Sequence, residues 1–208
     1  EKPVDNEVSF EKCTFSECKA SRGAGLFIYS TVRDKPITIK RCKFISNSLF
    51  KGESSEGSGI YLNAVRCTVF YCTFKKNSGG SSFKIIEHKE NLNSKVLSSS
   101  FSVSVFQCNF EINENSKSSL SYSGNHLSID VKNCIFTGKP SKGAHHINIE
   151  SASQNLNQKN IRIDLCKFSS DVKDSINLNA TKFIDLNSQV FNFAENKQKN
   201  ESIKRLFN

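Results

Sequence analysis

What this chain lacks removes several protein classes. No apolar run approaches the roughly 20 residues of a membrane-crossing helix, so no such helix is expected in it. Apolar residues three and four apart over ten or more positions are missing before the last dozen residues, which sets helical repeats aside. The eight cysteines form no Cys-x-x-Cys pair and have no histidine within a few residues, so neither zinc nor any other metal or cofactor is expected. Serine is abundant but never in a nucleophile-elbow context. His88 and His126 fall in corners, and the adjacent His145 and His146 point to opposite faces, so no histidine–carboxylate–nucleophile set assembles. No basic stretch interleaves with aromatics, and no nucleic-acid partner is expected. Methionine is absent and the chain opens Glu1-Lys2-Pro3, which reads as a processed chain or a piece of a larger one.

What the chain has is one short phrase repeated six times: apolar, any, apolar, any, any, Cys, any, Phe. The copies are Val8-Phe10-Cys13-Phe15, Ile37-Ile39-Cys42-Phe44, Cys67-Val69-Cys72-Phe74, Val103-Val105-Cys108-Phe110, Ile129-Val131-Cys134-Phe136 and Ile161-Ile163-Cys166-Phe168. A weaker seventh reads Ile184-Leu186-Gln189-Phe191. Spacing within a copy is strict, while successive cysteines lie 26 to 36 residues apart. Stacked coils behave this way, because strands must register with their neighbours while insertions collect in corners.

Steps of two within the phrase are strand steps. The step of three before Cys marks a bend between two short strands that both point inward. A third strand follows at Leu26/Ile28, Ile60/Leu62, Phe83/Ile85, Leu120/Tyr122, Ile147/Ile149 and Ile176/Leu178, usually after a glycine. Three short strands per turn of about thirty residues describe a parallel β-helix. About seven coils at roughly 4.8 Å each give a rod on the order of 30 Å long. Its right-handedness follows the usual chirality of parallel crossovers.

A second signature follows the phenylalanines. Phe44-Ile45-Ser46-Asn47, Phe74-Lys75-Lys76-Asn77 and Phe110-Glu111-Ile112-Asn113 read F-x-x-N, and Gly23-Ala24-Gly25-Leu26 and Gly57-Ser58-Gly59-Ile60 precede third strands. Cys18, Lys139, Asp171 and Ala194 take the Asn position elsewhere. Over residues 8–193 this resembles the F-x-x-N and G-G-A-[I/L/V] repeats of the polymorphic membrane proteins of chlamydiae, within the wider pectate-lyase-like β-helices. The resemblance implies export, display at the cell surface and adhesion. Corner asparagines at 47, 77 and 113 are expected to adopt left-handed backbone angles and to bond from coil to coil. The glycines supply positive φ or close approach.

Residues 1–7 read as a lead-in, 8–193 as one solenoid and 194–208 as a cap or tail carrying Ile203, Leu206 and Phe207. With 208 residues, 37% of them hydrophobic, one core can be buried. The six phrase cysteines and Cys67 face that core and are expected to be mostly free thiols, since parallel side chains suit a disulfide badly. Cys18, at a corner, is the exception. A net charge of +9, from 29 Lys and Arg against 20 Asp and Glu, suits solvated lysines on a large surface or an anionic partner surface. The longest corners, 48–58, 86–102 and 150–160, and the third-strand loops at 30–36 and 123–128, are where function on such a scaffold tends to sit.

The expected role is non-enzymatic: a rigid surface or secreted rod, extracellular or at the cell surface, binding a glycan or protein partner. Two alternatives stand beside it, an architectural segment of a larger assembly and a polysaccharide lyase or glycosidase. The enzyme reading needs converging carboxylates. For these Asp130, Asp164 and Asp185 are read as sharing the slot between the two apolar residues, an outward acidic ladder over three coils. The competing expectation is a solvated column paired with Lys132 and Arg162. Asn179-Ala180-Thr181 and Asn200-Glu201-Ser202 are possible glycosylation sequons, at a frequency unsurprising in so Asn- and Ser-rich a chain.

Overall fold

A computed structural model describes residues 7–30, 36–51, 56–63, 66–86, 102–124, 128–138, 143–150, 161–169, 175–179, 184–185 and 191–192. The chain is all β, with parallel strands stacked in coils as a β-solenoid. Sheet 1 holds seven strands in chain order: Val8–Glu11, Ile37–Lys40, Arg66–Phe70, Ser102–Phe106, Ser128–Lys132, Ile161–Asp164 and Ile184–Asp185. Sheet 2 holds seven: Thr14–Ser16, Lys43–Ile45, Thr73–Lys75, Asn109–Glu111, Ile135–Thr137, Lys167–Phe168 and Phe191–Asn192. Sheet 3 holds six: Leu26–Tyr29, Ile60–Asn63, Ser81–Ile86, Ser118–Ser123, His145–Glu150 and Ile176–Asn179. Three strands per coil is thus the rule, but a small parallel pair, Lys19–Ala20 with Ser48–Leu49, adds a fourth at the start of the rod.

The register follows the phrase. Ile37 is level with Val8 and Cys67, Val103 with Cys67 and Ile129, and Ile161 with Ile129 and Ile184. The step of three before each Cys is a left-handed kink. Lys12, Arg41, Tyr71, Gln107, Asn133 and Leu165, each one residue before its Cys, have φ between 50° and 57°. The ladder survives the kink because these residues still donate to the next coil, as in Arg41 N–H to the Phe70 carbonyl at 3.0 Å. All eight cysteines are free thiols. Each phrase thiol after the first points between two carbonyls. Cys108 Sγ, for instance, lies 3.2 Å from the carbonyl of Phe106 and 3.7 Å from that of Val69 in the coil before. A small apolar side chain with a weak S–H donor fits that corner. Burial pushes the thiol of Cys42 up to about 11 and raises those of Cys67 and Cys108, which keeps them protonated.

Beside the thiols runs one column of rings. Phe15, Phe44, Phe74, Phe110, Phe136 and Phe168 stack with centroids 5.0, 4.9, 4.5, 5.0 and 4.9 Å apart and planes within 11°. The separation is that of the strands themselves. From Phe44 onward the rings are fully buried, as are Ile60, Leu62, Phe83, Ile85, Leu120, Tyr122, Ile147 and Ile149 of sheet 3.

Two local expectations need correction. The left-handed residue at the F-x-x-N corner is not the asparagine but the one before it: Glu17, Ser46 and Lys76 have φ of 56°, 55° and 55°. Asn47 and Asn77 are fully buried and bond to backbone rather than amide to amide. Asn77 Nδ2 donates to the Phe44 carbonyl at 2.9 Å, and Asn77 Oδ1 accepts from Asn47 N–H at 3.0 Å. Asn47 does the same for the first coil, with Phe15 and Cys18. Asn113 bridges to the Asn77 carbonyl at 3.2 Å and otherwise caps its own turn through Asn115 and Ser116. The seventh phrase slips by one residue: Asn192, not Phe191, is level with Phe168. The glycines divide their work as expected. Gly23 and Gly57 sit at φ of 55° and 69°. At Gly25 and Gly59 a Cβ would come within 2.6 and 2.7 Å of the next coil's backbone.

Phe74→Ala opens the ring column between Phe44 and Phe110 and is expected to cost about 3–5 kcal/mol in denaturant unfolding. A variant as stable as the parent contradicts the stacked register. Leu165 is exposed and left-handed, and asparagine already holds that position in the previous coil. Leu165→Asn is therefore expected to stabilise by about 0.5–1 kcal/mol, since asparagine tolerates this conformation better. An unchanged or lower midpoint contradicts the corner strain.

Candidate functional site

The acidic ladder does not form. The inward pair Ile161 and Ile163 encloses Arg162, so Arg162, not Asp164, is level with Asp130, and Asp185 is level with Arg162. Asp164 falls one strand step later, level with Lys132. There it is nearly buried, 3.3 Å from the Arg162 guanidinium and 3.5 Å from Lys132 Nζ. Burial raises the Asp130 carboxyl above the usual carboxylate range, with Arg162 and Lys132 opposing. Asp164 is ion-paired to Arg162 and Lys132, while Asp130 Oδ1 is buried with no hydrogen-bond partner among the described residues. Asp130 and Asp164 therefore do not stack as one column of carboxylates.

The more site-like surface is the outer face of sheet 3. Alternation turns Phe27, Tyr61, Lys84, Ser121, Asn148 and Asn177 to this side in one row. The next row holds Tyr29, Asn63, Ile86, Ser123 and Glu150. Phe27 and Tyr61 stack at 5.1 Å with planes 3° apart, and the Arg22 guanidinium lies 5.9 Å from the Tyr61 centroid. Phe27 is 50% and Tyr29 55% exposed.

Past the rings the face turns polar. Lys84 is buried, with Nζ 3.3 Å from Glu56, 3.3 Å from Ser121 Oγ and 2.7 Å from Ser123 Oγ. Ser123 Oγ donates to Glu150 at 3.4 Å, Asn148 Nδ2 to Glu150 at 3.0 Å, and Asn177 Nδ2 to Asn148 at 2.8 Å. Such a chain holds each member in one rotamer and leaves unused lone pairs and N–H groups for a ligand. It ends at an open groove of about 430 Å³ lined by Glu114, Lys117, His145, Asn148, Glu150 and Asn177. Among the described residues no group of three or more His, Cys, Asp or Glu is arranged to hold a metal.

The two histidines do diverge. His145 borders the groove, while His146 is fully buried. Its ring centroid lies 5.8 and 6.0 Å from Phe136 and Phe168, and its Nδ1 is 3.1 Å from Ser119 Oγ. Burial lowers it from the ordinary 6.5 to about 4, with the Gly138 carbonyl opposing.

Sequence reasoning traced the inward residues of the third strands and passed over their outward partners Phe27, Tyr29 and Tyr61. The available signal was an aromatic in the outward phase of an alternating strand. Residues 52–55 of the corner 48–58, nearly all of the corners 86–102 and 150–160, and the segments 1–6 and 194–208 with Asn200, lie outside the described residues. Asn179 ends the last strand of sheet 3.

The folded state holds His146 neutral, so acid favours the unfolded chain. Stability is full above pH 6.5 and is expected to fall as pH drops towards about 4. The loss attributable to this residue is roughly 3 kcal/mol by pH 4. His146→Gln is expected to flatten that part of the curve, measured by denaturant midpoints across pH; parallel curves for parent and variant contradict it.

No family model, curated protein or solved structure matches the chain, so its function rests on the geometry above.

Proposed function

We propose that this chain is a non-enzymatic display and adhesion rod, surface-borne or secreted, whose sheet 3 outer face binds a glycan, or a protein carrying one. The observation that carries this reading is the exposed ring of Phe27, backed by stacking on the buried Tyr61, with the exposed Tyr29 beside it, in line with a hydrogen-bonded polar row on the same sheet. Pyranose rings present apolar C–H faces to aromatics and hydroxyls to amides and carboxylates, so a flat surface offering both in register suits them. Preorganisation supports it further, because side chains locked before binding lose little freedom on binding. The export and adhesion implied by the family resemblance point the same way for location.

The test passes the protein over neutral, acidic and sulfated polysaccharides, scoring retention and released product together. Retention without product is expected. Phe27→Ala with Tyr29→Ala is expected to weaken retention on the neutral polysaccharides about tenfold or more, equivalent to about 1.4 kcal/mol, with the melting temperature little changed. Released product overturns the non-enzymatic reading, and full retention of the neutral polysaccharides by the double variant removes the aromatic platform from it.

A further inference from the structure

A second surface lies on another side of the rod, at the kink between sheets 1 and 2. The left-handed column there begins Lys12, Arg41, Tyr71, each linked to its neighbouring coil by backbone bonds through the bend. Lys43 opens the following strand and is exposed, as are Lys12 and Arg41. The Arg41 guanidinium lies 5.9 Å from the Tyr71 centroid, and Lys40 Nζ lies 5.5 Å from that of Phe70. Phe70 and Tyr71 meet edge to face at 5.6 Å and 60°. Glu11, 3.5 Å from Lys40, is the carboxylate paired within this cluster.

Tyr71 is the informative residue. It is 48% exposed, contributes no core packing, and has φ of 57°. A bulky side chain there costs more than the asparagine found at position 133 of the same column. Unlike the similarly exposed Leu165 in this column, the Tyr71 ring has an aromatic and a guanidinium packed on it, Phe70 and Arg41. Tyr71 presents a half-exposed ring beside Arg41, with Lys12 one coil before Arg41, the backbones of successive coils lying roughly 4.8 Å apart.

We propose that this corner is an anionic-glycan subsite, in which a uronate- or sulfate-bearing sugar stacks on Tyr71 and places its charged group between Arg41, Lys12 and Lys43. The proposal stands apart from the sheet 3 reading and takes a different ligand class. A single exposed ring favours a sugar over single-stranded nucleic acid, which uses successive ring platforms for successive bases.

The test titrates the full chain with a sulfated heparin oligosaccharide, an oligogalacturonate, a neutral cello-oligosaccharide and a poly-dT strand, at low and high salt. At least one of the two anionic sugars is expected to bind, more weakly at high salt, and the cello-oligosaccharide not to bind at this corner. Arg41→Gln with Lys43→Gln is expected to weaken binding about tenfold or more, and Tyr71→Asn about fivefold or more. Tyr71→Asn relieves the left-handed corner, so a loss of binding by this variant, checked by an undiminished melting temperature, is not a loss of fold. The sheet 3 double variant Phe27→Ala with Tyr29→Ala is expected to keep anionic binding, which separates failure here from failure of the first reading. Unchanged binding by Tyr71→Asn overturns the proposal in favour of charge alone. Tighter binding of poly-dT with the same variant response overturns it in favour of nucleic acid, and no binding of either anionic sugar overturns it outright.

Discussion

The spacing of one coil from the next governs this molecule. Parallel strands joined by backbone hydrogen bonds stand about 4.8 Å apart, and that distance is close to what stacked rings accept. A phenylalanine at one position of one coil therefore calls for a flat partner at the same position of the next, and the Phe15-to-Phe168 column answers six times over. The same spacing suits an asparagine amide reaching the backbone of the coil before, as Asn77 reaches Phe44. It also suits a thiol reaching one carbonyl in its own coil and one in the previous coil, as Cys108 does. Ring, amide and thiol are three ways of filling the space between coils with side chains that tolerate copies of themselves.

Because the inward residues must match their copies, they were readable from the sequence. The phrase placed the first two strands of six coils, the bend before Cys and the inward residues of the third strands, including the weak pair Leu120 and Tyr122. It was less informative where identity, rather than spacing, carried the argument. Asparagine was credited with the left-handed turn because it tolerates that conformation, yet Glu17, Ser46 and Lys76 carry the turn and the asparagine is buried instead. The kink is imposed by the coil on whatever residue precedes the corner, so even Tyr71 and Leu165 accept it. The last phrase, the one with glutamine in the cysteine position, is the one that slips, Asn192 rather than Phe191 standing level with Phe168.

The outer surface obeys no such rule, and there sequence reasoning went astray. Solvent tolerates different neighbours at successive coils, so outward rows carry mixed chemistry and no repeat announces them. The acidic ladder was built by matching Asp164 to Asp130, although the phrase Ile161-Arg162-Ile163 puts Arg162 in that slot. One step of register, and two acids of supposed common purpose become an acid and a base in an ion-paired lattice. The aromatic row at Phe27 and Tyr61 was in plain alternation with Leu26 and Ile28, but outward rings have no partner in sequence that marks them as a set.

The candidate groove has its own cause in the core. One residue before each inward position of sheet 3 runs a column that reads Gly25, Gly59, Ser82, Ser119, His146 and Ser175. At the start of the rod the space is too tight for a side chain: a Cβ at Gly59 would meet the Ser82 carbonyl at 2.7 Å and Phe74 at 3.1 Å. Later coils admit serine and then a whole imidazole beside Phe136 and Phe168, so this corner opens along the rod. The strands of sheet 3 have four residues at Leu26–Tyr29 and Ile60–Asn63, six at Ser81–Ile86, Ser118–Ser123 and His145–Glu150, and four again at Ile176–Asn179. The polar chain from Lys84 to Asn177 occupies the same two outward rows that Phe27, Tyr61 and Tyr29 open. The narrow end of sheet 3 thus presents rings, and the widened end presents hydrogen-bonding groups and a groove.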